Sequence, residues 1–269
     1  MTTVRYGVIA DVHANLPALE AVLAALRAIR VDAYICAGDL VGYGPQPNEC
    51  VEAVRRLGAV SVAGNHDLIA VGALSDDRCE RLARESLRWT RTVLDDEAGD
   101  YLTGMPRRAE LPEGVVVAHG SLDDPQEYIL GIDRAAVELA HLAEAYPTAR
   151  ALVLGHTHRA FATDGLTRSQ RISTGRRVAI TGDRPWLLNP GAVGQSRESL
   201  VRARFMVLDL GRREAVFHAV RYDVRRTRAL LRRERLPTRS LHLAPWRPKA
   251  VLRPAIRAAR RARATFGRR

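Results

Sequence analysis

Five short apolar runs, separated by segments of helical periodicity, each stop at Gly, Asp, Asn or His, and this recurrence constrains the fold more than any other feature. Val4 to Ile9 ends at Ala10-Asp11-Val12-His13, and Ala33 to Ala37 ends at Gly38-Asp39-Leu40. Val60 to Ala63 ends at Gly64-Asn65-His66-Asp67, Val115 to Ala118 at His119-Gly120-Ser121, and Ala151 to Leu154 at Gly155-His156-Thr157-His158. After the first run, Leu19, Val22, Leu23, Leu26 and Ile29 repeat at helical spacing, with Asn15 and Pro17 as a start signal for a helix over 16–30. Asn48 to Leu57 and Asp133 to Tyr146 read as further helices. Strands alternating with helices predict βαβ units and a largely parallel sheet, with ligands beyond the carboxyl ends of the strands. All the polar stops lie at such ends.

The rest of the chain is less regular. Ser75 to Met105 is helical in character and reads as a connecting segment. Ala160 to Ile180 is polar and Arg-rich and reads as a hairpin or loop. Trp186-Leu187-Leu188 leads into the turn Asn189-Pro190-Gly191-Ala192-Val193-Gly194. Arg204 to Leu210 and Ala215 to Val220 form an antiparallel hairpin about Gly211, and Tyr222 to Leu236 reads as helical.

With 269 residues the chain can bury one α/β core, expected over 1–236, followed by an Arg/Pro-rich tail over 237–269. No apolar run reaches membrane-spanning length, and Met1 to Tyr6 lacks the pattern of a signal peptide, so a cytoplasmic protein is expected. Cys36, Cys50 and Cys79 show no close spacing, which argues against a disulfide framework or a thiolate metal site. The net charge of +12 belongs to the C-terminus: residues 221 to 269 hold 17 basic and 2 acidic residues. Lys249 is the only lysine, so a Gly-Lys-Ser/Thr phosphate loop is excluded.

Five of the eight histidines, His13, His66, His119, His156 and His158, lie in the strand-end motifs with Asp11, Asp39 and Asn65. Imidazole and carboxylate ligands without thiolate suit Zn, Mn, Fe or Ni. In Asp11-Val12-His13 and His156-Thr157-His158 the i, i+2 spacing points both side chains one way if the segment stays extended. Two such pairs on adjacent strands make a metal site, and Asp39 can bridge a second ion at the separation of about 3.5 to 4 Å that activates water for in-line attack on phosphorus. His141, His218 and His242 read as ordinary structural histidines.

With these residues in place, the sequence resembles the calcineurin-like metallophosphoesterase superfamily, whose motif order Asp-x-His, Gly-Asp, Gly-Asn-His-Asp/Glu, His and Gly-His-x-His is met in full over roughly residues 4 to 220. The resemblance implies a four-layer αββα sandwich of two mixed sheets, with two divalent metal ions at the sheet edge. Carried over position by position, it implies that Asp11, His13 and His158 hold one ion, that Asn65, His119 and His156 hold the other, and that Asp39 bridges them. A hydroxide bridging the ions would attack phosphorus. His66 would face the phosphate and protonate the leaving oxygen, oriented by Asp67, because a metal-bound imidazole has no proton to spare on its ligating nitrogen.

The departures bear on the substrate. The branch with serine/threonine phosphatases reads Gly-Asp-x-Val-Asp-Arg-Gly, whereas this chain reads Gly38-Asp39-Leu40-Val41-Gly42-Tyr43-Gly44. Tyr43 stands in the place of a phosphate-clamping arginine, and a phenol lacks its charge. That favours the bacterial phosphodiesterase-like branch, with Tyr43 and Asn65 at the substrate. A monoesterase or protein phosphatase would need another arginine, such as Arg159 or Arg197, at the phosphate. A nuclease is motivated by the basic tail, in which Ala255 to Phe266 fits a short helix able to bind nucleic acid or an acidic membrane surface. A non-catalytic scaffold usually lacks ligands, and none is missing here.

Overall fold

The protein was analysed as a computed structural model that describes residues 4–166 and 172–243. The first sheet contains β1 (Arg5–Ile9), β2 (Ala33–Cys36) and β3 (Val60–Ser61), with β8 (Arg177–Ala179), β10 (Ala203–Asp209) and β11 (Glu214–Val220). Its order is β3-β2-β1-β10-β11-β8, parallel through β1 to β3 and antiparallel from β10 outward. The second sheet contains β4 (Ala109–Leu111), β5 (Val115–Val117), β6 (Ala151–Val153), β7 (Ala160–Thr163) and β9 (Trp186–Pro190) in the order β4-β5-β6-β9-β7. Its parallel centre is β5, β6 and β9, with antiparallel strands at both edges. Both sheets are mixed.

Side-chain alternation stacks the layers. Val8, Ile35, Met206 and Leu208 of the first sheet share one core with Val115, Val117, Val153 and Leu188 of the second, so the sheets pack face to face. The residues between them point outward. Ile9, Cys36, Phe205 and Val207 pack against α1 (Leu16–Ile29), α2 (Pro47–Arg56), α4 (Arg81–Val93) and α5 (Asp96–Gly104). Val116, Leu152, Leu154 and Leu187 pack against α6 (Ile132–Ala145). Strands buried on both faces read as continuous apolar runs, which is why they were visible in sequence. The result is the expected four-layer αββα sandwich.

Several elements differ from expectation. The helical stretch after Ser75 divides into α4 and α5, because Asp95 caps a new helix by accepting from the Ala98 N–H at 2.8 Å. The stretch from Ala160 to Ile180 is not a hairpin: β7 lies in the second sheet and β8 edges the first. The Asn65-His66-Asp67 stretch is not a simple strand end but opens the short helix α3 (Asn65–Ala70). The helix α7 (Val224–Arg233) is followed by a single 3₁₀ turn over Thr238–Leu241. Residues past 236 continue the packing, with Leu241 buried beside Leu231 and Leu236. The basic helix expected over 255–266, and with it the nucleic acid or membrane arm, lies outside the described residues. Among the described residues, no helix is long and apolar enough to cross a membrane.

Backbone contacts join the strand ends of β1 and β2 within the first sheet and tie them to the loop after β9 of the second. Asp11 N–H donates to Gly38 O at 3.0 Å, His13 N–H to Asp39 O at 2.9 Å, and Gly194 N–H to Asp11 O at 2.9 Å. Gly194 permits the last approach, because a Cβ there would stand 1.8 Å from Val12 O. Gly194→Ala is therefore expected to destabilise the protein by at least about 2 kcal/mol, within the overpacking range. Gly99→Ala, in the helix α5 with nothing within 4 Å, is expected to stabilise by about 0.5 to 1 kcal/mol. Urea denaturation of both variants checks the pair, and an unchanged midpoint for Gly194→Ala would refute the close approach.

Candidate metal centre

Asp11 and His13 follow β1, Asp39 follows β2, Asn65 and His66 open α3 after β3, His119 follows β5, and His156 and His158 follow β6. All these side chains are buried. The segments are not extended: φ is +54° at Asp11, +48° at His13, +56° at Asp39, +65° at His156 and +57° at His158. Left-handed backbone at non-glycine residues costs about 1 to 3 kcal/mol each and clusters at functional sites. Convergence therefore comes from strained turns held by neighbouring loops, not from the alternation of a strand.

Two groups of ligand-type atoms result, each within 4.8 Å of one another: Asp11, His13, Asp39 and His158, and Asp39, His119 and His156. Asp39 belongs to both. His13 Nε2 lies 3.1 Å from His158 Nε2 and 3.6 Å from Asp39 Oδ2, and His119 Nε2 lies 3.2 Å from the same oxygen. On the far side of three rings, Nδ1 meets a backbone carbonyl: Val41 O at 3.0 Å for His13, Ala37 O at 2.7 Å for His119 and Gln195 O at 2.9 Å for His158. Those contacts hold a proton on Nδ1 and turn Nε2 inward, as for ligating histidines.

The inward atoms lack partners. Asp11 Oδ2, Asp39 Oδ2, Asn65 Oδ1, His119 Nε2 and His156 Nε2 are buried without a hydrogen bond. Buried acceptors left unpaired are costly, and ligand-type atoms gathered in two groups about the Asp39 carboxylate fit divalent cations. The two groups offer carboxylates and imidazoles, and Asn65 Oδ1 is a further buried oxygen without a partner, a donor set suited to Zn, Mn, Fe or Ni.

Burial and charge sort the ionisation states. Burial alone would raise Asp39, yet the imidazoles of His119, His66 and His13 outweigh it and hold the carboxyl well below its usual range. Burial would lower His119, but the carboxylates of Asp39 and Asp11 lift it to about 9. Burial lowers His66 to about 4 and His156 to about 3, and it raises Asp11 to about 7.

His66 and Tyr43 sit above this floor. A Cβ on Gly42 would stand 2.2 Å from His66 Nδ1, so that nitrogen is sealed under Gly42 and Nε2 faces the cavity. Tyr43, buried at φ +60°, stands with its ring 4.7 Å from those of both His13 and His66. Asp67 does not contact the His66 ring as expected. Its carboxylate accepts from the Leu40 N–H at 2.8 Å, Val41 N–H at 3.1 Å and Gly64 N–H at 2.9 Å, which ties the Asp39 loop to the start of α3. It is a positioning residue acting through the backbone.

A cavity of about 530 Å³ opens over His66, His156 and His158. Arg159 and Arg197, the two arginines singled out in sequence, both line it, as do Arg78, Tyr128 and Leu243. Tyr128 packs against His156 with ring centroids 4.0 Å apart and the planes tilted by 40°. Asn189 Nδ2 donates to Gly155 O at 2.5 Å and pins the His156 loop. Neither Tyr128 nor Asn189 had been identified as functional: Tyr128 lies in no motif, and Asn189 was read only as part of a turn. His141 and His218 stay outside the site, beside Asp123 and on Phe205.

The model of the calcineurin-like phosphoesterase superfamily domain matches residues 4–213. The chain is 36% identical to a metallophosphoesterase from Sphaerobacter thermophilus, whose crystal structure superposes with a TM-score of 0.77 over 89% of this chain and 97% of that one. It is 29% identical over 236 residues to an uncharacterized protein of Methanocaldococcus jannaschii, covering 86% of this chain and 93% of the relative. A hypothetical protein from Pyrococcus horikoshii, 19% identical, shares the fold with a TM-score of 0.72 over 90% of this chain and 96% of its own.

The position of His119 generates a pH dependence. Without a cation the ring is protonated below about 9, and a cation taking its Nε2 lone pair must displace that proton. Metal affinity should therefore rise with pH towards about 9 and flatten above it, with proton release at pH 7. Calorimetry in two buffers of different ionisation heat checks this, and uptake or absence of protons would overturn it. Asp39→Ala should lose bound metal on purification, because both groups share that carboxylate; full occupancy in the variant would count against the shared arrangement.

Proposed function

The chain belongs to the calcineurin-like phosphoesterase superfamily and is by that membership a phosphoric ester hydrolase; from this premise we propose that it is a binuclear, metal-dependent phosphodiesterase of the bacterial phosphodiesterase-like branch. The observation that carries the reading is the pair of buried ligand groups meeting at Asp39, with their unpartnered atoms turned inward. In this proposal Asp11, His13 and His158 hold one ion, Asn65, His119 and His156 hold the second, and Asp39 serves both. When bound, such ions polarise the phosphoryl oxygens and lower the pKa of water.

The chain's own residues supply the rest. His66 presents Nε2 to the cavity and delivers a proton to the leaving oxygen. Burial holds the ring neutral in the free protein, with its pKa lowered to about 4, so the negative charge of the substrate must raise its proton affinity. Asp67 keeps His66 in place through the Asp39 loop. Tyr43, whose phenol burial pushes up to about 12, stays neutral and closes the wall beside His13 and His66. The cavity of about 530 Å³ reaches beyond the cluster to Arg78, Tyr128 and Leu243, and a volume of that size supports a substrate with a second ester group. Arg159 and Arg197 on the same wall are what a monoesterase would require, so the two readings differ by a measurable preference.

Chromogenic diesters and monoesters sharing one leaving group, assayed with Mn, Fe, Zn and Ni, should show higher kcat/KM for the diester. A clear monoester preference would move the protein to the phosphatase reading. His66→Ala should retain both metals and lose turnover by roughly 10² to 10⁴, the span of general acid catalysis. The loss should shrink for a nitrophenolate leaving group, which needs little protonation. Equal losses for good and poor leaving groups would remove His66 from the acid role.

A further inference from the structure

Arg197 is a half-buried cation with only neutral partners. It follows β9, its Nε donates to Gln195 Oε1 at 3.1 Å, and its Nη1 donates to Tyr128 OH at 3.3 Å. Its Cζ stands 5.9 Å from the Tyr128 ring centroid. Among the described residues, no carboxylate lies within ion-pair distance of it. The neighbouring Arg78, by contrast, is committed to Asp124 at 2.7 Å. A cation partly withdrawn from water and given neutral partners alone gains strongly from an arriving anion.

Of the five guanidinium N–H groups, Gln195 takes that on Nε and Tyr128 one on Nη1, which leaves one on Nη1 and both on Nη2, donors that can engage two oxygens at once. The same two residues tie Arg197 to both ligand groups. Gln195, fully buried, accepts from His158 Nδ1 through its backbone carbonyl, and the Tyr128 ring packs against His156. The charge of Arg197 acts on Asp11, His13, His66, His156 and His158. The loop itself is clamped from the C-terminal side. Ser196 N–H donates to Leu241 O at 3.3 Å, Leu243 N–H donates to Ser196 O at 3.0 Å, and His242 Nε2 meets Glu198 O at 2.7 Å.

We infer that Arg197 is the phosphate clamp of this site, its Nη1/Nη2 edge binding the non-bridging phosphoryl oxygens, with Gln195 and Tyr128 as its positioning residues. This rests on the hydrolase reading and assigns the anion-binding charge that Tyr43 cannot provide. The edge can engage two non-bridging oxygens of a diester or of a monoester alike, so the clamp accounts for phosphoryl binding, and the ester preference is set apart from it by the paired diester and monoester substrates.

The test uses the full-length, metal-loaded protein with inorganic phosphate as probe, measured by calorimetry, alongside turnover of a chromogenic diester. Arg197→Gln should keep wild-type metal content and weaken phosphate binding by about 10- to 100-fold, the range of a lost charged hydrogen-bond pair. Diester kcat/KM should fall comparably. Arg197→Lys, which keeps the charge but loses the two-toothed edge, should recover less than a tenth of the lost affinity. Tyr128→Phe should weaken phosphate several-fold without changing metal content. Arg225→Gln on α7, the same charge change on an exposed helix face, should leave both measurements unaltered. Phosphate affinity within twofold of wild type in Arg197→Gln, or no phosphate binding by the wild type at millimolar concentration, overturns the clamp. Wild-type phosphate binding lost in Arg197→Gln, with no ester turned over by either, would keep the clamp and sink the hydrolase reading. Turnover unaffected by the substitution would do the reverse.

Discussion

The carboxylate of Asp39 is the interaction on which the rest of the site depends. Its Oδ1 accepts from the His66 N–H at 2.8 Å and so anchors α3, while its Oδ2 faces His13 and His119 from opposite groups. Gly64 is required beside it, because a Cβ there would stand 2.1 Å from Asp39 Oδ1. A fully buried carboxylate is unfavourable unless charge or hydrogen bonds surround it. The His119 imidazole supplies the largest part of that compensation, and the same attraction that holds Asp39 ionised lifts His119. Floor charge, ligand protonation and the placement of His66 are thus consequences of one group.

Around Asp39, the site is kept in a conformation that its own residues disfavour. Asp11, His13, Asp39, Tyr43, His156 and His158 all occupy left-handed backbone, a total strain that no single loop would tolerate alone. Cross-loop contacts hold it. Asn15 caps α1 and also donates from Nδ2 to Gly194 O at 2.8 Å, Asn189 grips Gly155, and the His156 N–H donates to Asp11 Oδ1 at 3.0 Å. Each polar side chain closes two loops at once. The geometry needed to receive cations is therefore built into the fold before they arrive, which limits the reorganisation that binding requires.

The rim follows a different logic from the floor. Tyr43, Tyr128 and Arg197 come from three loops, and the segment 237–243 braces two of them: Ser240 Oγ donates to Tyr43 O at 3.1 Å, and Leu241 and Leu243 bracket Ser196. What composition marks as the beginning of a basic tail therefore starts with a structural strap. Among the many arginines of this chain, the sequence points to Arg159 and Arg197 as candidates without separating the two.

The layers and most of the floor were legible because burial on both faces forces continuous apolar runs, and because Asp, Asn and His at the ends of such runs have few other reasons to recur. The break between α4 and α5 was missed because a single capping aspartate decides it within an otherwise helical segment. The separation of β7 from β8 was missed because pairing partners are set by the whole sheet, and a local pattern cannot distinguish a hairpin from two edges. The route from Asp67 to His66 runs through the backbone and was not legible, because three backbone N–H groups take that carboxylate.

The sequence by itself determined which chemical groups gather at the strand ends, and therefore the class of ligand they can hold, since donor type is a property of the side chain. Only the tertiary structure decided how they face each other. His13 meets His158, and Asp11 meets the His156 N–H, across 145 residues of chain. Such contacts exist only once two sheets have packed and their strained turns have been locked together. It was likewise the packing of the 195–198 loop against the C-terminal strap that distinguished Arg197 from the other arginines of the chain, because the absence of a counter-charge is a property of surroundings, not of residue type.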